Sequence, residues 1–302
     1  MGIDNILVFG ATGTQGHPVV DAALDAGLRV RAASRDPDGA AEKLSSRVDI
    51  VFADLLDRET VVDAMRGMSA VFFHLPVMPD TPEAGVMVDN VIAAAGETGL
   101  ERIVFTTGGY CGPDMPDRPF VTGLRAHAER LLGCGVDCVV LRPTLYLANL
   151  VWPHLIRQLR DDGRLSYPPI SRKRRLNWTA TEDQGRIAVA CLTADVVGET
   201  LDIASPGAVD APALCRLLAG VFGREVHFAP QTPDEFADAM THMSGSASVG
   251  RQMGDFYRDL DRLPEPGPVV DTDALAARLG IELTPIEVWM EERFGALLSL
   301  YG

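Results

Sequence analysis

Gly10-Ala11-Thr12-Gly13-Thr14-Gln15-Gly16 places three glycines at regular three-residue intervals near the start of the chain. In such a turn Gly10 permits a sharp bend, Gly13 lets the backbone approach a pyrophosphate, and Gly16 allows a helix to pack closely on a strand. With Thr12, Thr14 and Gln15 they form a loop whose free N–H groups, at the positive end of a helix, bind an anion. Glycines cluster in many turns; this run is specific because a strand pattern precedes it and a helix pattern follows. Further on, Ala33-Ser34-Arg35 offers a hydroxyl and a guanidinium where an acidic residue would hold ribose hydroxyls and repel a 2′-phosphate. A guanidinium grips phosphate bidentately, so the expected cofactor is NADP(H), with Ser34 and Arg35 at the 2′-phosphate. In the plainer account Arg35 is solvated and Asp36 holds the ribose. Asp54, in Ala53-Asp54-Leu55, is placed to accept from an adenine amino group or to cap a helix.

These groups need strand ends to carry them. Ile6–Phe9, Leu28–Ala33, Val48–Ala53, Ala70–Phe73, Ile103–Thr106 and Cys138–Leu141 are short apolar runs. Helical spacing separates them at Val19–Leu24, Val61–Met65, Val86–Ala95 and Arg125–Leu132. Strands alternating with helices imply right-handed crossovers and a parallel sheet covered on both faces. The expected fold is α/β, a doubly wound parallel-sheet Rossmann fold. Residues 1–150 form the dinucleotide-binding domain, and 180–204 return to it through a helix around Ile187 and a strand at Thr200–Ile203. Residues 151–179 and 205–302 are expected to form a smaller substrate lobe. It includes a helix over Asn149–Leu159, helices at Ala213–Val221 and Pro233–Met240, and a surface loop or lid at Met243–Ser248.

The chain has 302 residues, 47% hydrophobic, enough to bury a large core without disulfides or metals. Its net charge of −15 argues against nucleic acid. No apolar stretch has the roughly 18 residues of a membrane span, and no signal peptide is evident. Five cysteines without a C-x-x-C pair fit a reducing cytoplasm, and six scattered histidines give no metal-ligand spacing. The chain also lacks a G-x-S-x-G elbow. Of 27 basic side chains, all but Lys43 and Lys173 are arginine. Lys43 either adds charge near the 2′-phosphate or lies on a solvated helix face. The cluster Arg172-Lys173-Arg174-Arg175 reads as a solvated loop or a contact for an acidic group.

The glycine turn, Arg35, Asp54, a helix carrying Glu129, the run Leu141-Arg142-Pro143-Thr144-Leu145-Tyr146 with Asn149, and Thr181-Glu182-Asp183 opening a helix are spread over about 200 residues. Together they resemble the NmrA-like group of atypical short-chain dehydrogenase/reductases. The resemblance implies the fold and the cofactor. It leaves the reaction open among quinone, azo- or triphenylmethane-dye, and benzylic ether or isoflavone-type reduction, and NADP sensing without catalysis. One departure is decisive. Most short-chain reductases use Tyr-x-x-x-Lys, in which the lysine lowers the tyrosine pKa and the tyrosine protonates the carbonyl oxygen. Here Gly39 and Pro169 precede the two lysines at that spacing, so the pair is absent. The matching helix places Val121 and Arg125 there, and Arg125 is expected at the nicotinamide ribose.

Several residues are candidates for replacing the acid. Thr106 and Thr107 stand where the usual catalytic serine would, and Tyr110 follows the same strand. His74-Leu75-Pro76 passes the cofactor after the fourth strand, and Pro143 does so after the sixth. His127 and Tyr146 complete the set. For each, ordinary hydrogen-bonded packing is the plainer role. Trp152, Trp178, Phe236, Met240 and Met243 could line an apolar pocket or belong to a core. The expected activity is NADPH-dependent hydride transfer to a quinone or ketone of a small apolar, aromatic molecule. The alternatives are a non-catalytic NADP(H)-sensing regulator with a protein partner, and an epimerase or lyase. No nucleic acid, membrane or metal is expected as a partner, and a homo-oligomer is compatible with the sequence.

Overall fold

The structure, a computed structural model, describes residues 2–76, 78–170, 174–264 and 267–301. Continuous apolar runs become parallel strands because both faces of each are covered. The strands are β1 (Asn5–Phe9), β2 (Arg29–Ser34), β3 (Asp49–Phe52), β4 (Ala70–His74), β5 (Arg102–Thr106) and β6 (Asp137–Pro143). Short strands follow at β7 (Leu145–Tyr146), β8 (Arg164–Leu165) and β9 (Trp178–Thr179), then β10 (Glu199–Ile203) and β11 (His227–Phe228). The main sheet has seven strands in the order β10-β6-β5-β4-β1-β2-β3, each pair parallel. The order reverses between β1 and β4, and in open α/β sheets the ligand crevice lies at the C-terminal strand ends beside such a reversal.

Helices α1 (His17–Asp25), α2 (Pro37–Ala41), α3 (Arg58–Met65), α4 (Pro82–Thr98) and α5 (Pro119–Leu132) are the crossovers. Alternate residues of each strand divide between two cores. Ile6, Val8, Phe72 and Val104 pack under α1, while Leu7, Val71, Phe73 and Phe105 pack under α3, α4 and α5. The remaining helices are α6 (Pro153–Asp162), α7 (Thr181–Ala190), α8 (Ala211–Phe222), α9 (Pro233–Ser244), α10 (Ala247–Arg262), α11 (Thr272–Leu279) and α12 (Ile286–Tyr301). A third core, around Trp178, Tyr167, Phe236, Tyr257 and Phe294, holds most of these. Helix α11 instead sends Leu275 and Leu279 into the core under α1.

Two local expectations change. The helix expected over Asn149–Leu159 is broken: a 3-10 turn (Leu147–Val151) ends at Trp152, and α6 starts afresh at Pro153, whose ring suits a first helical position. Met243–Ser248 is neither loop nor lid. Gly245, with φ +69°, ends α9, and Ser246 caps α10 through the N–H of Val249. The two helices cross tightly because Gly250 and Gly254 face α9, where a Cβ at Gly250 would stand 2.4 Å from the Ala237 carbonyl oxygen. This hairpin meets the sheet domain through Arg118–Asp259 (2.9 Å), Gln252–Asp80 (3.0 Å) and the edge-on pair Phe120–Phe256.

Candidate active site

β1 ends in a turn built as its glycines require. Gly10 has φ +67°, and a Cβ there would stand 2.5 Å from Nε2 of His74. A Cβ on Gly16 would stand 2.3 Å from the Gly10 carbonyl oxygen, so only glycine lets α1 start this close to the turn. The Gly13 N–H closes the turn onto Gly10 O at 2.9 Å. The N–H groups of Thr14 and Gln15 have no acceptor among the described residues and stand at the positive end of α1. That is a cradle for an anion.

Beside the turn lies a cavity of about 260 Å³ lined by Gly10, Thr12, Ser34, Arg35, Asp54, Leu55, His74 and Pro76. Arg35 is exposed and has no partner among the described residues. Asp36 caps α2 by accepting from Gly39 N at 3.1 Å, while the Ser34 hydroxyl is bonded to the N–H and the carbonyl of Asp36. Asp54 accepts from Leu56 N through one oxygen; the cap of α3 is Asp57. Arg35 is thus the unengaged cation at the mouth of a cavity of nucleoside size.

The ends of β5 and β6 sort the remaining candidates. Thr106, Tyr146 and Gln15 come together, whereas four others are engaged elsewhere. The Thr107 hydroxyl donates to Gly109 O at 2.8 Å. The Tyr110 hydroxyl donates to Asp114 at 2.7 Å, and burial followed by that bond raises its pKa. Arg125, expected at the nicotinamide ribose, instead clamps the loop before α5. It donates to the carbonyls of Cys111 (3.0 Å), Gly112 and Met115 (2.9 Å) and pairs with Asp117 at 2.7 Å. The buried His127 ring bonds Pro79 O at 2.8 Å, bracing the segment that follows Pro76. Pro143 ends β6 in register with Ile203, and Leu75 packs on the core under α4.

A sequence model of the NmrA-like family matches residues 3–258. The chain belongs to the NmrA-like family. Among relatives, an NAD(P)H azoreductase of Xenophilus azovorans is 27% identical over 253 residues, covering 83% of this chain and 86% of the relative. A Citrobacter sp. triphenylmethane reductase, complexed with NADP(H), superposes with TM-score 0.77 at 21% identity, covering 96% and 99% of the two chains. An NADPH-dependent quinone oxidoreductase from Escherichia coli gives TM-score 0.77 at 18% identity over 97% and 99%.

One buried polar residue beside these candidates in this NmrA-like chain has no signal in the sequence. Gln184, fully buried on α7, accepts from Tyr146 Oη at 2.6 Å and from Thr106 Oγ1 at 3.1 Å. It directly follows the Thr181-Glu182-Asp183 run that marked the helix start, and a helix position four residues in carries no chemistry on its face. The basic run proves structural where described: Arg174 donates to Leu260 O and Asp261 O, and Arg175 to Ala208 O. Arg172 and Lys173 lie outside the described residues. Lys43 is exposed. Trp178 and Phe236 belong to the third core, Trp152 and Met240 pack at its margin, and Met243 is exposed.

Burial lowers the pKa of His74 and of His127 from 6.5, outweighing the backbone hydrogen bonds that act the other way. Both rings are therefore neutral at pH 7 in the folded chain. A depressed histidine pKa means the unfolded state takes up protons first. The stability this contributes is complete above about pH 6.5 and is lost as pH falls through the folded values. Thermal unfolding followed from pH 7.5 to 5 should show the midpoint falling below pH 6.5, and a His127→Gln variant should flatten that limb.

Proposed function

We propose that this NmrA-like chain is an NADPH-dependent reductase that transfers hydride to a quinone or ketone of an apolar aromatic molecule without a Tyr-x-x-x-Lys pair. The reading rests above all on α5, where the proton-donating pair would stand. Val121 is buried in the third core and Arg125 is tied to the loop by four partners. An arginine remains protonated and cannot shuttle a proton as lysine does. The acceptors that suit such a site are those whose reduced form takes its proton from water. The names of the similar proteins given above, an azoreductase, a triphenylmethane reductase and a quinone oxidoreductase, support this class.

The cofactor assignment is supported by the free N–H groups of the turn, by unpaired Arg35 at the cavity mouth, and by the NADP(H) named for two similar structures. When bound, NADPH supplies the hydride. The chain's own part is to hold the pyrophosphate on residues 10–16, to meet the 2′-phosphate with Arg35, and to wall the far end with Gly108, Tyr146 and Gln15. Tyr146 stays neutral, since burial raises its pKa and the bonds with Thr106 and Gln184 only partly oppose this.

The test is NADPH oxidation at 340 nm against quinones, azo and triphenylmethane dyes, and aromatic ketones. Turnover with at least one quinone or ketone is expected. Its kcat should be level from about pH 7 to 9, because His74 titrates below that window and Tyr146 above it. A kcat that collapses on a basic limb near pH 8 would point to a side-chain acid and against this reading. Absence of turnover across the panel, with tight NADP(H) binding, would assign the chain to sensing instead.

A further inference from the structure

Beyond the phosphate turn, on the side away from the adenosine cavity, four polar side chains from four separate elements meet. Gln15 leaves the turn itself, Thr106 ends β5, Tyr146 ends β7 and Gln184 comes from α7. Tyr146 Oη lies 2.6 Å from Gln184 Oε1 and 3.2 Å from Gln15 Oε1; Gln184 Nε2 reaches the Gln15 carbonyl at 3.5 Å. Gln184, Thr106 and Tyr146 are buried, whereas Gln15 is half-buried, so part of its side chain stays open to a ligand. Gly108 has φ +66°, and a Cβ there would stand 3.3 Å from the Gln15 amide, so the chain after β5 runs directly beside it.

Counting protons orients the cluster. A tyrosine hydroxyl has one proton, and the 2.6 Å contact assigns it to the Gln184 oxygen, which also takes the proton of Thr106. Tyr146 then has only lone pairs to offer Gln15. The arrangement in which every group is satisfied turns the Gln15 NH2 toward Tyr146, using the N–H that points away from the amide oxygen. Its other N–H and its carbonyl oxygen lie side by side on the outward edge, one donor beside one acceptor. A primary carboxamide presents the complementary pair.

We infer that Gln15 recognises the carboxamide of the nicotinamide ring, with Tyr146, Gln184 and Thr106 as positioning residues that fix its amide. This rests on the NADP(H) reading above. A dinucleotide with its 2′-phosphate at Arg35 and its pyrophosphate on the turn has only its nicotinamide half left for the cleft beyond. The inference also gives Tyr146 a role that its neutral, proton-donating hydroxyl can fill: it sets a hydrogen-bond pattern and keeps its proton on Gln184.

Equilibrium binding to the full chain, followed by calorimetry, tests this with three ligands. NADP⁺ carries the carboxamide, its 3-acetylpyridine analogue keeps the carbonyl but loses the N–H donors, and 2′-phospho-ADP-ribose lacks the ring. The wild type should bind NADP⁺ roughly tenfold more tightly than the analogue, as expected for one well-made hydrogen bond. In Gln15→Leu that preference should vanish while 2′-phospho-ADP-ribose binding stays within about twofold. Tyr146→Phe, which removes only the oxygen that orients Gln15, should reduce the preference in the same way. An unchanged preference in Gln15→Leu overturns the inference, as does an equal loss for all three ligands, which marks a structural effect on the turn. If wild type fails to bind 2′-phospho-ADP-ribose, the cofactor reading itself falls and takes the inference with it.

Discussion

Replacing Arg35 with alanine is expected to weaken NADPH binding by about 10- to 100-fold while leaving NADH within about twofold. A charge-assisted, bidentate contact to phosphate contributes about 1.5–3 kcal/mol, and each 1.4 kcal/mol is a factor of ten. The prediction depends on the guanidinium being free before the ligand arrives. Asp36 beside it caps α2, and the Ser34 hydroxyl is closed onto Asp36, so neither competes for Arg35. Fluorescence titration of both dinucleotides against wild type and Arg35→Ala measures the effect. Equal losses for NADPH and NADH would remove the 2′-phosphate assignment.

Arg125→Met should lower stability by about 2–4 kcal/mol, the cost of leaving several buried carbonyls without their charged donor. For a chain of this size that is a fall of roughly 3–6 °C in thermal midpoint. Affinity for NADP⁺ should change little, because the guanidinium faces the carbonyls of Cys111, Gly112 and Met115. The same geometry predicts the fate of the double variant Val121→Tyr/Arg125→Lys, which writes the missing motif into α5. It should be less stable and no more active, since a lysine cannot reproduce the planar fork and the tyrosine must enter a filled core. A double variant with raised kcat would show that α5 faces the reacting atoms after all.

Those two arginines show what the sequence reveals and what it conceals. Arg35's place beside the cavity is legible because it follows from local position: it comes just after a strand that pairs with the strand before the glycine turn. The strands themselves are legible for the same reason, as apolar runs bounded by turn residues. Arg125 occupies the motif position of a catalytic lysine, yet the path of residues 111–117 decides what it touches, and that path has no periodicity to read. Gln184 is hidden for a related cause. Its partners Thr106 and Tyr146 lie 78 and 38 residues away and meet it only because α7 packs beside α1. The tight corner at Gly245 is not legible because small polar residues signal turns of any length, and the contact made by Gly250 and Gly254 that shortens it is tertiary.

The clamp formed by Arg125 and the docking of the α9–α10 hairpin differ in their chemistry. The loop before α5 is fastened by one guanidinium to three carbonyls and a carboxylate. The hairpin is held chiefly by apolar burial: Phe236, Phe256, Tyr257 and Leu260 sit in the third core, and Arg118–Asp259 and Gln252–Asp80 lie at its edge, with the Asp259 carboxylate itself buried. Added salt, which screens a buried charge only weakly, therefore leaves both attachments in place.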